Sequence, residues 1–373
     1  MQEAVAESIW RDGLDLSLAP LPGDCRTQVC VVGLGGSGLS ALQQFRRAGL
    51  DCMGVDRGGI AAGAAGANGG FLLAGQAAFY PQAVARIGRE RALGIYELTL
   101  TELARRYAEA PQHCRRTGSL RIAADAQELA DCARQIELMQ RDGLPAQPYD
   151  GAEGRGVLFG EDGCFDPARY WRDVAAALQS DGVALYGNSV VEEVSSGLVV
   201  TRGGRVQADL VLVAVDGGIE RLLPQYAGEL RSARLQMLAT APDPEVRLTR
   251  PVYYRDGHDY WLQRADGGIA LGGGRDIGGE AEWQADGVSP LVQAHLETLL
   301  RERLHGTAPV THRWSAQVAF TRRGLPLFGA VAPGVYATGA YDGTGNLFGA
   351  LCGRALAQLA LGERTALSEW LRE

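Results

Sequence analysis

The chain has 373 residues, of which 46% are hydrophobic and 21% charged, with a formal net charge of -8. That length exceeds one ordinary core, so two domains are expected. The acidic balance argues against nucleic acid or an anionic membrane surface as the main partner.

No apolar run reaches spanning length, so no transmembrane helix is expected. The opening MQEAVAESIWRDG lacks the apolar segment of a secretory leader, which makes the cytoplasm the expected compartment. Seven cysteines are scattered without a C-x-x-C pair or a Cys/His cluster at metal spacing, so reduced thiols and no metal site are expected. Lysine is absent, and all 36 basic residues are arginine.

In chain order, the first element is the apolar run Val29 to Val32, which has the pattern of a buried parallel strand. Gly33-Leu34-Gly35-Gly36-Ser37-Gly38 follows and matches G-x-G-x-x-G. Leu39, Leu42 and Phe45 then recur at helical spacing, Gly49 stops the helix, and a second strand, Cys52 to Val55, ends in Asp56. Gly33 permits the tight turn, Gly35 lets a pyrophosphate approach, and Gly38 allows close helix packing. The N-terminus of the helix offers unpaired N–H groups to phosphate, and Asp56 is spaced to accept ribose hydroxyls. These residues imply a dinucleotide and leave NAD and FAD both open.

After Asp56 and Arg57 the chain enters GAAGANGGFLLAG, residues 63 to 75, nearly bare of side chains. This stretch resembles the cofactor segment of the D-amino-acid-oxidase-like (DAO) flavoproteins, matched by Gly63, Ala64, Ala65, Asn68, Gly69 and Gly70. Ala65 and Ala67 stand where the family has serine and arginine. Residues 335 to 362 resemble the family's last strand, turn and C-terminal helix, with Gly339, Gly343, Thr344, Gly345 and Asn346 in the turn. SVVEEV resembles the adenine-side strand near Val191, and ADLVLVAVDGG the buried strand of the same domain. The resemblance implies non-covalent FAD, with the isoalloxazine and its tether as the visitor that keeps 63 to 75 bare.

It also implies an α/β fold of glutathione-reductase type. A Rossmann-type FAD-binding domain would comprise 25–80, 155–216 and 325–373. An α+β substrate domain on a mixed sheet would comprise 81–154 and 217–324, with 1–24 an arm on the surface. Periodicity predicts a helix over 95–110, a strand at SLRIA, a helix from Leu129 to Met139 ended by Gly143, and a hairpin around Ala265-Asp266-Gly267-Gly268.

The implied activity is oxidation of the C–N bond of an amine or amino acid, by hydride transfer to flavin N5, with oxygen or a quinone-type carrier as acceptor. No catalytic triad is evident. Tyr254, Tyr260, Arg275, Trp314 and Tyr341 are candidates for the substrate pocket, although each aromatic also suits an ordinary core and Arg275 an ion pair. Val318 stands where amino-acid-oxidising members carry a carboxylate-gripping arginine, and valine cannot form that bidentate pair. With no lysine, the chain lacks the lysine that one branch uses to activate oxygen. Two alternatives stay open: a flavoprotein that matures a protein partner, and an NAD-linked dehydrogenase.

Overall fold

A computed structural model describes residues 6–371. The chain divides into two compact units, one comprising 13–66, 167–232 and 317–371, the other running to Asp12 and comprising 67–166 and 233–316.

The first unit is built on a parallel sheet. Strand Cys25–Val32 lies between Gly204–Val213 and Cys52–Val55, all parallel, with Val335–Gly339 beyond the one and Ala184–Tyr186 beyond the other. Val191–Ser195 and Leu198–Thr201 form an antiparallel ribbon against the N-terminal half of 204–213. Val29, Cys30 and Val31 are fully buried, as a central parallel strand requires. The ADLVLVAVDGG strand therefore sits beside the first strand, in the middle of the sheet. Chain order reverses at Cys25–Val32, whose neighbours on its two sides come from different parts of the sequence. That places the crevice of a doubly wound sheet at its carboxyl end, next to Gly33.

Helices Gly36–Arg47 and Phe348–Ala360 pack so closely that a Cβ on Gly353 would fall onto the Ser37 carbonyl. Leu347, just before the last helix, and Leu356 within it are buried, whereas Leu351 and Leu359 are only half-buried. Leu16 and Leu21 of the N-terminal arm are buried here, and the Leu16 carbonyl accepts from Ile60 N–H. Leu16 and Leu21 thus pack that segment against the parallel-sheet unit.

The second unit carries an eight-stranded sheet that includes Gly268–Gly273, Asp259–Gln263, Val252–Tyr254, Ser119–Ile122 and Gly154–Phe159 in that order. Pairing is antiparallel except between 252–254 and 119–122. The SLRIA strand forms as Ser119–Ile122, and the hairpin turns at 264–267, one residue before the predicted Ala265–Gly268. Helix Arg89–Glu109 covers all but the last residue of the predicted 95–110, and helix Ala126–Arg141 encloses the second predicted helix. One sheet face buries Leu120, Ile122, Val252, Trp261 and Leu271 against Val292 and Leu296 of helix Pro290–Thr298. Strand alternation puts Arg121, Tyr253, Tyr260 and Gly272 on the opposite face. No helix among the described residues is long and apolar enough to cross a membrane, and all seven cysteines are free thiols.

Candidate functional site

In the parallel-sheet unit, Gly33 has φ 103°, and a Cβ there would sit 2.7 Å from the Ala214 carbonyl oxygen. On Gly38 a Cβ would fall onto the Gly33 carbonyl, and on Gly36 it would lie 2.8 Å from the Trp171 ring. Gly35 is different, since the nearest atom to its absent Cβ is the Ala65 methyl at 3.4 Å. The helix that starts at Gly36 has no side-chain cap, so its first amides, with the positive end of the helix dipole behind them, are not engaged by a capping side chain.

Asp56 closes the same corner. Its Oδ2 accepts from Leu34 N–H and its Oδ1 from Gly58 N–H, both at 2.8 Å. A carboxylate accepts about four hydrogen bonds in all, so ribose hydroxyls are compatible with both amide bonds. Arg57 is exposed, and Val191 is half-buried at the start of the antiparallel ribbon.

Ser37 turns its hydroxyl away from the crevice, to Tyr341 Oη at 2.7 Å. Tyr341 is buried, its hydroxyl also meets Thr338 Oγ1 at 3.1 Å, and burial holds its phenol well above the ordinary range. This places Tyr341 in the interior of the parallel-sheet unit, linking the two glycine motifs. Gly339 is needed for packing, because a Cβ would lie 2.5 Å from the Val215 carbonyl oxygen. Thr344 donates to the Tyr341 carbonyl at 2.7 Å, Gly345 and Asn346 are half-buried, and Gly343 is exposed with φ 86° and nothing near its Cβ position. Helix Phe348–Ala360 also begins without a side-chain cap.

The bare stretch 63 to 75 crosses from one unit to the other at Gly66. Gly63 is exposed with nothing within 4 Å of its Cβ position, and Ala64 and Ala65 form a short 3-10 turn. Beyond it, the bareness has a protein cause. A Cβ on Gly69 would meet the Tyr260 ring at 3.2 Å, and one on Gly70 the Trp10 ring at 2.8 Å. The indoles of Trp10 and Trp314 donate to the Asn68 and Ala67 carbonyls at 2.7 and 2.8 Å, while Asn68 Oδ1 accepts from Gly70 N–H at 2.8 Å. At Gly69 and Gly70 the space of the missing side chain is thus taken by aromatic rings of this protein.

The expected pocket residues separate accordingly. Tyr260 shares its face with Tyr253 and Phe71, ring centroids 6.0 Å from each. Tyr254 lies on the other face, against Trp261, with the Arg303 guanidinium 4.1 Å over its ring. Trp314 is a buried anchor for Ala67, and Arg275 lies over Trp283 at 5.1 Å. His258 faces Asp276 at 3.7 Å. Sequence reading passed over Tyr253 and the buried Arg121, which stacks on Phe79 at 4.3 Å and donates to the Ala77 carbonyl. Strand parity would have found both only once the pairing partner of Tyr260 was known.

The DAO family model, FAD dependent oxidoreductase, matches residues 28–359. A probable oxidoreductase, OrdL, of Rhizobium meliloti (strain 1021) is 27% identical over 379 residues, covering 93% of this chain and 86% of that protein. Gamma-glutamylputrescine oxidoreductase of Escherichia coli (strain K12) is 27% identical over 365 residues, covering 90% and 84%. Glycine oxidase of Geobacillus kaustophilus superposes with a TM-score of 0.75 at 19% identity, covering 93% and 99%, a likeness of fold. The cofactor is FAD, and the NAD-linked reading falls with that match. By the family match over residues 28–359, the chain belongs to the DAO family of FAD-dependent oxidoreductases.

Proposed function

We propose that this enzyme oxidises the C–N bond of an amine or amino acid. The observation that carries the reading is the family match over most of the chain together with a cradle that suits the cofactor: an open Gly35, an uncapped helix start and Asp56. A relative named gamma-glutamylputrescine oxidoreductase, after an amine, supports the substrate class.

Gly33, Gly35, Gly36 and Gly38 with the amides of the first helical turn would hold the pyrophosphate, and Asp56 the ribose. Gly63, Ala64, Ala65 and the Gly343–Asn346 turn would line the rest of the site, without a covalent link. FAD, when bound, supplies a two-electron acceptor that takes a hydride at N5 from the carbon bearing nitrogen. The protein's part is to orient that carbon and exclude water. Within the second unit, burial raises the Tyr253 and Tyr260 phenols, so on their shared sheet face they stay neutral hydrogen-bonding groups at working pH and do not act as bases.

The test is anaerobic addition of an amine and amino-acid panel to the flavin-loaded protein, watching the visible band. Bleaching by one class supports the reading, and its failure with every compound overturns it. Readmitting air then distinguishes oxygen from a quinone-type carrier as acceptor.

A further inference from the structure

The turn between strand Val335–Gly339 and helix Phe348–Ala360 is held in an unfavourable backbone conformation. Ala340, Asp342 and Gly343 all have positive φ, at 63°, 51° and 86°, and two of these are not glycine. One side chain restrains it. Asp216, just beyond strand Gly204–Val213, accepts from Ala340 N–H at 2.8 Å and Tyr341 N–H at 3.4 Å through Oδ1. Its Oδ2 accepts from Ala319 N–H at 3.2 Å. Asp342 repeats the tie in the other direction, accepting from Thr321 N–H at 2.8 Å. Strain that persists at one turn points to a role for that turn.

We propose that Asp216 is a positioning residue for FAD: its carboxylate fixes the Gly339–Asn346 turn in the shape that receives the cofactor. This rests on FAD dependence and needs no assumption about substrate. Ionised, the group forms charge-assisted bonds to the amides of the turn, stronger than those of a neutral acid. Its environment works against ionisation, because burial pushes the carboxyl up to about 6 and Asp342, facing it, pushes in the same sense. The remaining facing group, the Tyr341 phenol, is neutral.

The test is FAD release from the purified holoenzyme, followed by recovery of flavin fluorescence from about pH 5 to about pH 8, with thermal melting of each chain after FAD removal. For the native chain, release is expected about tenfold faster at the acid end, from loss of the charged acceptor. Asp216→Asn is expected to release FAD at that faster rate at every pH, with only the small melting loss that its NH2 facing the Ala319 N–H would bring. Asp342→Asn keeps the Thr321 acceptor and removes the facing charge, so its release transition is expected at lower pH. Native-like release by Asp216→Asn at about pH 8 overturns the proposal, as does a melting loss that accounts for the faster release. Should Asp216→Asn not fold, an unmoved transition in Asp342→Asn overturns it. No substrate is used, so neither result bears on amine oxidation.

Discussion

Two glycine-rich stretches, 33–38 and 63–75, look alike in the sequence and are glycine-rich for different reasons. In the first, the obstacles at Gly33 and Gly38 are main-chain atoms, those at Gly38 only five residues away. In the second, from Gly69 onward, the nearest obstacles are rings from far along the chain: Trp10 at Gly70, Tyr260 at Gly69 and Tyr96 at Gly75. A Cβ on Gly66, by contrast, would still meet the Ala61 carbonyl oxygen, and in the first stretch one on Gly36 would meet the Trp171 ring. Backbone cannot yield, whereas a ring can shift by a few tenths of an ångström. Glycine at 33 and 38 is a requirement of the turn; at 69, 70 and 75 it is a fit between distant parts of one unit.

The sharpest break of this contrast is Gly38→Ala, whose methyl would overlap the Gly33 carbonyl. Its expected cost is ~3 kcal/mol or more, with loss of bound flavin, read by urea unfolding and by the flavin-to-protein absorbance ratio.

Truncating a ring in the second stretch comes next. Trp10→Ala is expected to cost ~3 kcal/mol, while Trp10→Phe keeps a smaller buried ring. The milder variant loses the indole bond to the Asn68 carbonyl, about 1–2 kcal/mol, together with the Cζ2 and Cη2 atoms that face Gly70. Equal losses for the two in urea titrations would mean that the hydrogen bond, and not the ring, holds the stretch.

A pH titration addresses the polar end of the same stretch. Asp162 accepts from Ala74 N–H at 3.0 Å and from the Ser119 hydroxyl at 2.6 Å, and burial pushes its carboxyl up to about 7 from the usual 3.8. Because the folded value is the higher one, the folded state binds the extra proton. The associated stability is present below about pH 4 and is lost as pH rises to about 7, a change of up to ~4 kcal/mol. Asp162→Asn is expected to flatten that slope in urea midpoints measured between these limits. A slope unchanged by the substitution would assign it to other groups.

The smallest effect is expected for Gly69→Ala, where only the Tyr260 ring must give way from 3.2 Å. A cost of about 1 kcal/mol or less follows. A loss as large as that of Gly38→Ala would erase the distinction between the stretches.

Legibility follows the same line. The strand, glycine turn, helix and terminal Asp56 were readable because each depends on neighbours within about thirty residues, the scale of one βαβ unit. The hairpin around Ala265–Gly268 and the helix ended by Gly143 were readable for the same reason. The aromatic face was not. VYYR offers two adjacent tyrosines, and only pairing of Tyr253 with Tyr260 and of Arg121 with Tyr253 decides which one shares that face. Tyr341 and Trp314 likewise read as pocket walls until their hydrogen bonds to Ser37 and Ala67 put them to structural use.

The sequence alone therefore determined the family, the cofactor class and the local geometry of the phosphate-binding turn, because short-range backbone sterics and motif spacing need no partner. Tertiary structure decided which side chains line each face, why residues 69 and 70 carry none, and that Asp216 restrains a strained turn about 125 residues further along the chain. Those outcomes depend on strand register and on burial of polar groups, which a linear pattern specifies only after distant segments have met.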